Sequence, residues 1–257
     1  MTTRYSSLLA KVQSGELAIL DSGVSTELER RGQDMHDEAW SARVAIDSFD
    51  VLVSTHQAYI DAGADVITVN SYASSRLVLE PAGLSSEVRP INMKNIEAAR
   101  LARERCGNDA VLIAGSISHA LSFATEQEKS TEACIEAFDE MVSFFEEGEV
   151  DLILLEMMSI PTRMLPLFSS VSSSNLPVWC GLSAKRTTPS ALITGHHDET
   201  ISLAYNIEEA SKFKFDAMGI MHTSVDLISD AVDLVKTQHS GALMAYPDSG
   251  YFKSPNW

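Results

Sequence analysis

The stretch VLVSTHQAYIDAGADVITVNSY, residues 51–72, decides the fold. Its first part, 51–62, sets Val51, Val53, Ala58 and Ile60 around a polar face, and Gly63 follows as a helix stop. Its second part, DVITVN at 65–70, is short and almost unbrokenly apolar. That pattern marks a strand buried on both faces, as in a parallel sheet. The strand finishes in Thr68-Val69-Asn70-Ser71-Tyr72, a cluster of hydrogen-bonding groups. Helix, buried strand and polar strand end form the unit from which α/β proteins are assembled.

The unit recurs in both directions. Apolar runs lie at 17–21 (LAILD), 110–116, 151–156 (DLILLE), 177–183 (PVWCGLS), 216–221 (DAMGIM) and 241–246 (GALMAY). Helical patterns lie at 91–106, ending before Gly107, at 131–147, opening on Thr131 and closing at Gly148, and at 224–237, opening on Ser224. No linker or low-complexity segment interrupts residues 1–257, so a single domain is expected. No G-x-G-x-x-G follows a strand, which weighs against a dinucleotide-binding doubly wound sheet. The reading is a (β/α)8 TIM-type barrel truncated after its seventh strand, since a regular barrel has eight. An unpaired edge invites association, so a homo-oligomer that covers it is expected.

Composition narrows the function classes. Nineteen basic residues against 36 acidic ones give a net charge of −17, which repels phosphate backbones and anionic lipid; nucleic-acid and membrane partners are not expected. Cys106, Cys134 and Cys180 are widely spaced and form no C-x-x-C pair, as in a reducing compartment. The opening MTTRYSSLLAKVQSGE has no long apolar core and reads as a helix start, so the expected location is the cytoplasm.

In a barrel the chemistry lies at the carboxyl ends of the strands. There the sequence places Asp21 with Ser22 and Gly23, then Asn70 and Tyr72, then Glu156, then His222, then Tyr246 before the turn PDSG. Asp21 reads equally as an ammonium partner and as a helix cap. Glu156 ends an apolar run, where a lone carboxylate is costly to bury, and this favours a site role over a structural ion pair. A solitary histidine such as His222 can ligate a metal, move a proton or cap a helix. His196-His197-Asp198 reads as a solvated loop, and Lys185-Arg186 either holds a carboxylate or balances local acids. No G-x-S-x-G, Walker A or H-E-x-x-H pattern is present.

These residues resemble the homocysteine S-methyltransferases, over almost the whole chain. ILDSGVSTELERRG (19–32) is similar to that family's LDGGxxTxLERRG, AWSA (39–42) to LWSA, and HQAYIDAGADVITVNSYASS (56–75) to HxxYxxAGADxIxTxSYxAS. AGSIS, LLEMM, FDAMGIMHTS and MAYPDSG follow in the family's order, against AGSxGP, xxETI, xxAxGxNCT and VYPNSG. The resemblance implies a barrel that transfers a methyl group from a sulfonium or ammonium donor to homocysteine. It implies a zinc held by three thiolates that lowers the pKa of the substrate sulfur. It also implies that Asp21 and Glu156 help hold the amino-acid substrate, with Tyr72 an aromatic residue of the mouth.

The departures fall on the metal. Met221-His222 stands where the family has its NC, and no GGCC follows before the sequence ends. SHALSFATEQEKS (118–130) replaces the GPYGA…EY loop on the donor side. No metal or other cofactor is therefore expected. The expected activity is methyl transfer to a small thiol without zinc, with His222 and Glu156 as catalytic residues. Asp21, Ser22, Gly23, Asn70, Tyr72, Glu156 and Tyr246 are expected to hold the substrate. Three alternatives stay open: acid–base chemistry on another amino-acid-like substrate, a binding or regulatory protein without catalysis, and a relic whose open edge forces oligomerisation.

Overall fold

The computed structural model describes residues 3–35, 39–121, 128–188 and 190–248. Six parallel strands form one curled sheet: β1 Val66–Thr68, β2 Leu112–Ser118, β3 Leu152–Met158, β4 Val178–Leu182, β7 Ala217–Ser224 and β8 Ala242–Asp248. Between β4 and β7 lies a short antiparallel hairpin of β5 Ala184–Lys185 and β6 Thr194–Gly195. The strand order is β1-β2-β3-β4-β7-β8, so, the separate β5–β6 hairpin aside, each strand lies beside its predecessor in the sequence. A doubly wound sheet reverses direction part-way; this one winds in a single sense, as a barrel does. The first apolar run joins it only weakly. Leu20 bridges Val66 in parallel, and the Asp21 amide donates to the Val66 carbonyl at 2.9 Å.

Two apolar layers follow from alternation along the strands. Val66, Leu112, Ala114, Leu152, Leu154, Trp179, Ala217, Met221 and Met244 cluster inside the curl with Tyr5 and Leu8. Tyr5 and Leu8 belong to helix Thr3–Gln13, which closes the amino-terminal end of the strands. There the Trp179 indole donates to the Tyr5 hydroxyl at 3.1 Å, and Lys11 pairs with Asp65 at 2.8 Å. The larger layer lies between the sheet and its outer helices, where Ile67, Ile113, Ile153, Phe138, Phe145 and Phe168 are buried. With one end plugged, the cavity opens at the carboxyl ends.

The expected helices form at Phe49–Asp61, Val88–Cys106, Thr131–Glu147 and Val225–Lys236. Gly107 ends its helix at φ 61, a left-handed conformation suited to glycine. The cap of Thr131–Glu147 is Ser130 rather than Thr131: its hydroxyl accepts from the Ala133 amide. None of the described helices is long and apolar enough to cross a membrane. Among the described residues no strand pairs with the outer edge of β8, and none joins it to the 17–21 run. Leu17, Ile19 and Leu243 are exposed at these two edges.

Candidate functional site

A cavity of about 1080 Å³ opens over the carboxyl ends of the strands, lined among others by Ser22, Gly23, Trp40, Asn70, Tyr72, Glu156, His222, Tyr246 and Asp248. Its centre is an imidazole between carboxylates. His222 Nε2 lies 2.9 Å from Glu156 Oε2, and His222 Nδ1 lies 3.7 Å from Asp248 Oδ1. The Ser116 hydroxyl donates to the other Glu156 oxygen. The rings of Tyr72 and Tyr246 flank His222 at centroid distances of 6.1 and 5.8 Å. Burial works against a charge on His222, but Glu156 and Asp248 outweigh it and hold its pKa above the ordinary range.

The backbone explains how these side chains reach the mouth. Met221 pairs with Tyr246 and Thr223 with Pro247, so His222 is the extra residue of a bulge in β7. Another register shift lies between Leu155 and Met158 on β3. His222 and Met157 both have positive φ, 43 and 60, as does Trp40 at 49. Non-glycine residues held in that region store strain, and all three line the cavity. Sequence periodicity carries no signal for a bulge.

Asp21 sits just below the lining. It is buried, its two oxygens accepting from the Thr68 amide at 2.6 Å and the Thr68 hydroxyl at 2.7 Å. Burial, with the charge of Glu156 adding to it, pushes the Asp21 carboxyl up to about 7 although the Thr68 bonds oppose this. Asn70 faces the cavity, but its amide is held by Ser41: Oδ1 accepts from the Ser41 hydroxyl at 2.7 Å and Nδ2 donates to the Ser41 carbonyl at 2.9 Å. The structure thus gives Asn70 a scaffolding part in the wall. The Tyr72 hydroxyl donates to Met157 Sδ at 2.8 Å.

His196 and His197 lie in a loop, with His197 exposed as that reading expects, and both also border the cavity. The β5–β6 hairpin folds them over the cavity, which both line. His197 is exposed on one side, yet its Nδ1 meets the buried Ser159 hydroxyl at 2.8 Å. The Ser159 amide in turn donates to His119 Nε2 at 3.1 Å. Burial pushes His119 down to about 3 and His197 to about 4, so this wall is uncharged at neutral pH. Adjacent histidines signalled nothing of this because only the hairpin, itself not foreseen, sets both beside the cavity. Lys185 and Arg186 pair with Glu199 and Asp230 at 2.7 and 2.8 Å, and both also line the cavity, so the geometry fits both readings. Ser249 and Gly250 of the PDSG turn lie outside the described residues, as do residues 122–127 of the donor-side loop.

The zinc that the resemblance implies does not fit the donors present. No cysteine lines the cavity: Cys134 and Cys180 are buried in the outer apolar layer, and Cys106 ends a helix. The imidazole at the centre has Nε2 committed to Glu156. Among the described residues no three His, Cys, Asp or Glu side chains converge as a metal-binding set. A tetrahedral site needs at least three protein ligands.

Comparison with known proteins places this geometry. A family model described as homocysteine S-methyltransferase matches residues 18–257. Homocysteine S-methyltransferase 2 of Arabidopsis thaliana is 28% identical, over 93% of this chain and 78% of its own length. The selenocysteine Se-methyltransferase of Brassica oleracea var. italica is 26% identical, over 96% and 77%. Homocysteine S-methyltransferase YbgG of Bacillus subtilis is 25% identical, over 91% and 78%. In architecture the chain is similar to the metallated form of the Escherichia coli homocysteine methyltransferase MmuM, with a TM-score of 0.80, 23% identity, and coverage of 96% of this chain and 88% of that one. The chain therefore belongs to the homocysteine S-methyltransferase family.

Proposed function

We propose that this protein transfers a methyl group from a sulfonium or quaternary ammonium donor to the sulfur of a small thiol such as homocysteine, and that His222 does without metal what zinc does elsewhere in the family. The observation that carries the reading is the Glu156–His222 pair, set by a bulge at the centre of the cavity.

A free thiol has a pKa near 8.5. Raising the imidazole above its ordinary range narrows the gap that the proton must cross, and the two carboxylates stabilise the imidazolium that results. With Nε2 held by Glu156, Nδ1 takes the thiol proton. The sulfur lone pair then forms the new S–C bond to the methyl carbon. The donor's own S–C or N–C bond breaks, its electron pair returns to the leaving atom, and His222 later releases its proton to water. Asp21, Ser22 and Gly23 hold the amino-acid end of the acceptor, where an ammonium group would draw the buried Asp21 back to its ionised form. The open edge between β8 and the 17–21 run is covered by a second copy of the chain, and the protein works in the cytoplasm.

A second reading, a member that binds an amino-acid-like ligand or a partner without turnover, is favoured by one observation: the described mouth holds no thiol ligand. Isothermal titration with homocysteine, followed by a methyl-transfer assay, separates the two. Binding with turnover supports the proposal. Binding without turnover supports the second reading, and no binding at millimolar homocysteine removes the reason for preferring a thiol acceptor.

A further inference from the structure

The reaction above uses Glu156 and His222 but leaves Asp248 unexplained. This carboxylate is at the end of β8, opposite the bulge that carries His222, and its Oδ1 lies 3.7 Å from His222 Nδ1. That is too long for a hydrogen bond and short enough for a strong field across a partly dry site. The two carboxylates therefore hold the ring from opposite nitrogens, one by a bond and one by charge. The backbone of His222 is itself strained, at φ 43, a conformation that persists only where the surroundings fix it.

We infer that Asp248 is a positioning residue for His222: it fixes which nitrogen faces the cavity and yields that nitrogen to the acceptor. A bonded partner would occupy Nδ1, whereas at 3.7 Å Asp248 leaves that nitrogen unbonded. This inference rests on the proposed function, in that it assigns Nδ1 as the nitrogen that meets the acceptor.

Other groups act on the same ring. Glu156 faces it from β3, Tyr246 from the β8 strand and Tyr72 from the segment after β1, while His196 and His197 of the hairpin line the same cavity. Neither tyrosine is charged at neutral pH, since burial pushes both hydroxyls up. The two histidines are held below their ordinary range by burial. Among the described residues around the ring, Asp248 is thus the negative charge that can be removed without touching the Nε2 bond to Glu156.

The test is the titration of the His222 ring nitrogens, read by NMR on the full chain in wild type, Asp248→Asn and Asp248→Glu. Removing an opposite charge at this range should lower the His222 midpoint by about one pH unit, a tenfold loss of proton affinity. Asp248→Glu should restore it in part. In the methyl-transfer assay the acid limb of kcat/KM should move to lower pH in Asp248→Asn, a change that a merely structural residue would not cause. An unchanged His222 titration in Asp248→Asn overturns the inference; should that variant not fold, Asp248→Ser is read the same way. A shifted titration without methyl transfer keeps the positioning role and overturns the proposed reaction instead.

Discussion

Burying Asp21 has a consequence that a stability measurement can read. Its folded-state pKa of about 7 lies above the ordinary 3.8, so the folded chain binds this proton more tightly than the unfolded one. The sign follows: the contribution to stability is greatest below about pH 4 and is lost as pH rises towards 7. A rise of this size is worth at most about 4 kcal/mol. Other carboxylates pull the opposite way; Glu27, for example, is held down to about 2 by Arg30. The informative quantity is therefore the difference between wild type and Asp21→Asn. Denaturant melts at pH 4 to 7 should show wild type losing stability relative to the variant as pH rises, and parallel curves would contradict the burial argument. At this scale the sequence was legible where an acid ends an apolar run, because a carboxylate in that place needs a partner. Glu156 announces itself in this way; Asp21 reads equally as a helix cap, and its partner proves to be Thr68, 47 residues on. Asn70 looked equally like a substrate ligand, but its partner Ser41 lies 29 residues away in the sequence, and only the fold brings them together.

Strands β7 and β8 form the element on which the site turns. Gly219 lies opposite Met244 in that ladder, and a β-carbon added there would stand 1.8 Å from the Met244 carbonyl oxygen. Backbone cannot swing aside as a side chain can. Gly219→Ala should therefore cost at least about 2 kcal/mol in an equilibrium denaturation, through overpacking and a disturbed β7–β8 register. Gly181→Ala, which meets mainly the flexible Met221 side chain, should cost less. Equal, near-zero losses would show that the ladder is looser than described. Element by element, long amphipathic helices were legible to within a few residues because their apolar period is strong. The hairpin of β5 and β6 was not, since two-residue strands carry no periodicity, and with it the approach of His196 and His197 to the cavity stayed hidden. The bulge at His222 was hidden for a similar reason: an extra residue leaves the run of apolar side chains before it unbroken.

At the scale of the molecule, the seven apolar runs lie side by side in chain order, which is why strand counting alone gave the winding of the sheet. The remaining edges expose Leu17, Ile19 and Leu243. Exposed apolar side chains beside strand edges that are unpaired among the described residues favour association. Light scattering at low micromolar concentration should report a dimer; a monomer would refute the proposed cover. Less legible was how the cavity divides its electrostatics, with the pKa of His222 raised by carboxylates on one side and those of His119 and His197 lowered by burial on the other. That division depends on burial, which sequence does not state. The proposed replacement of a metal by an imidazole is met directly by one assay: methyl transfer from a sulfonium donor to homocysteine by protein stripped with a chelator, wild type beside His222→Ala. Turnover should survive the chelator in wild type and fall by about 100-fold or more in the variant. Turnover that appears only when zinc is restored, or that ignores the loss of His222, would contradict the account.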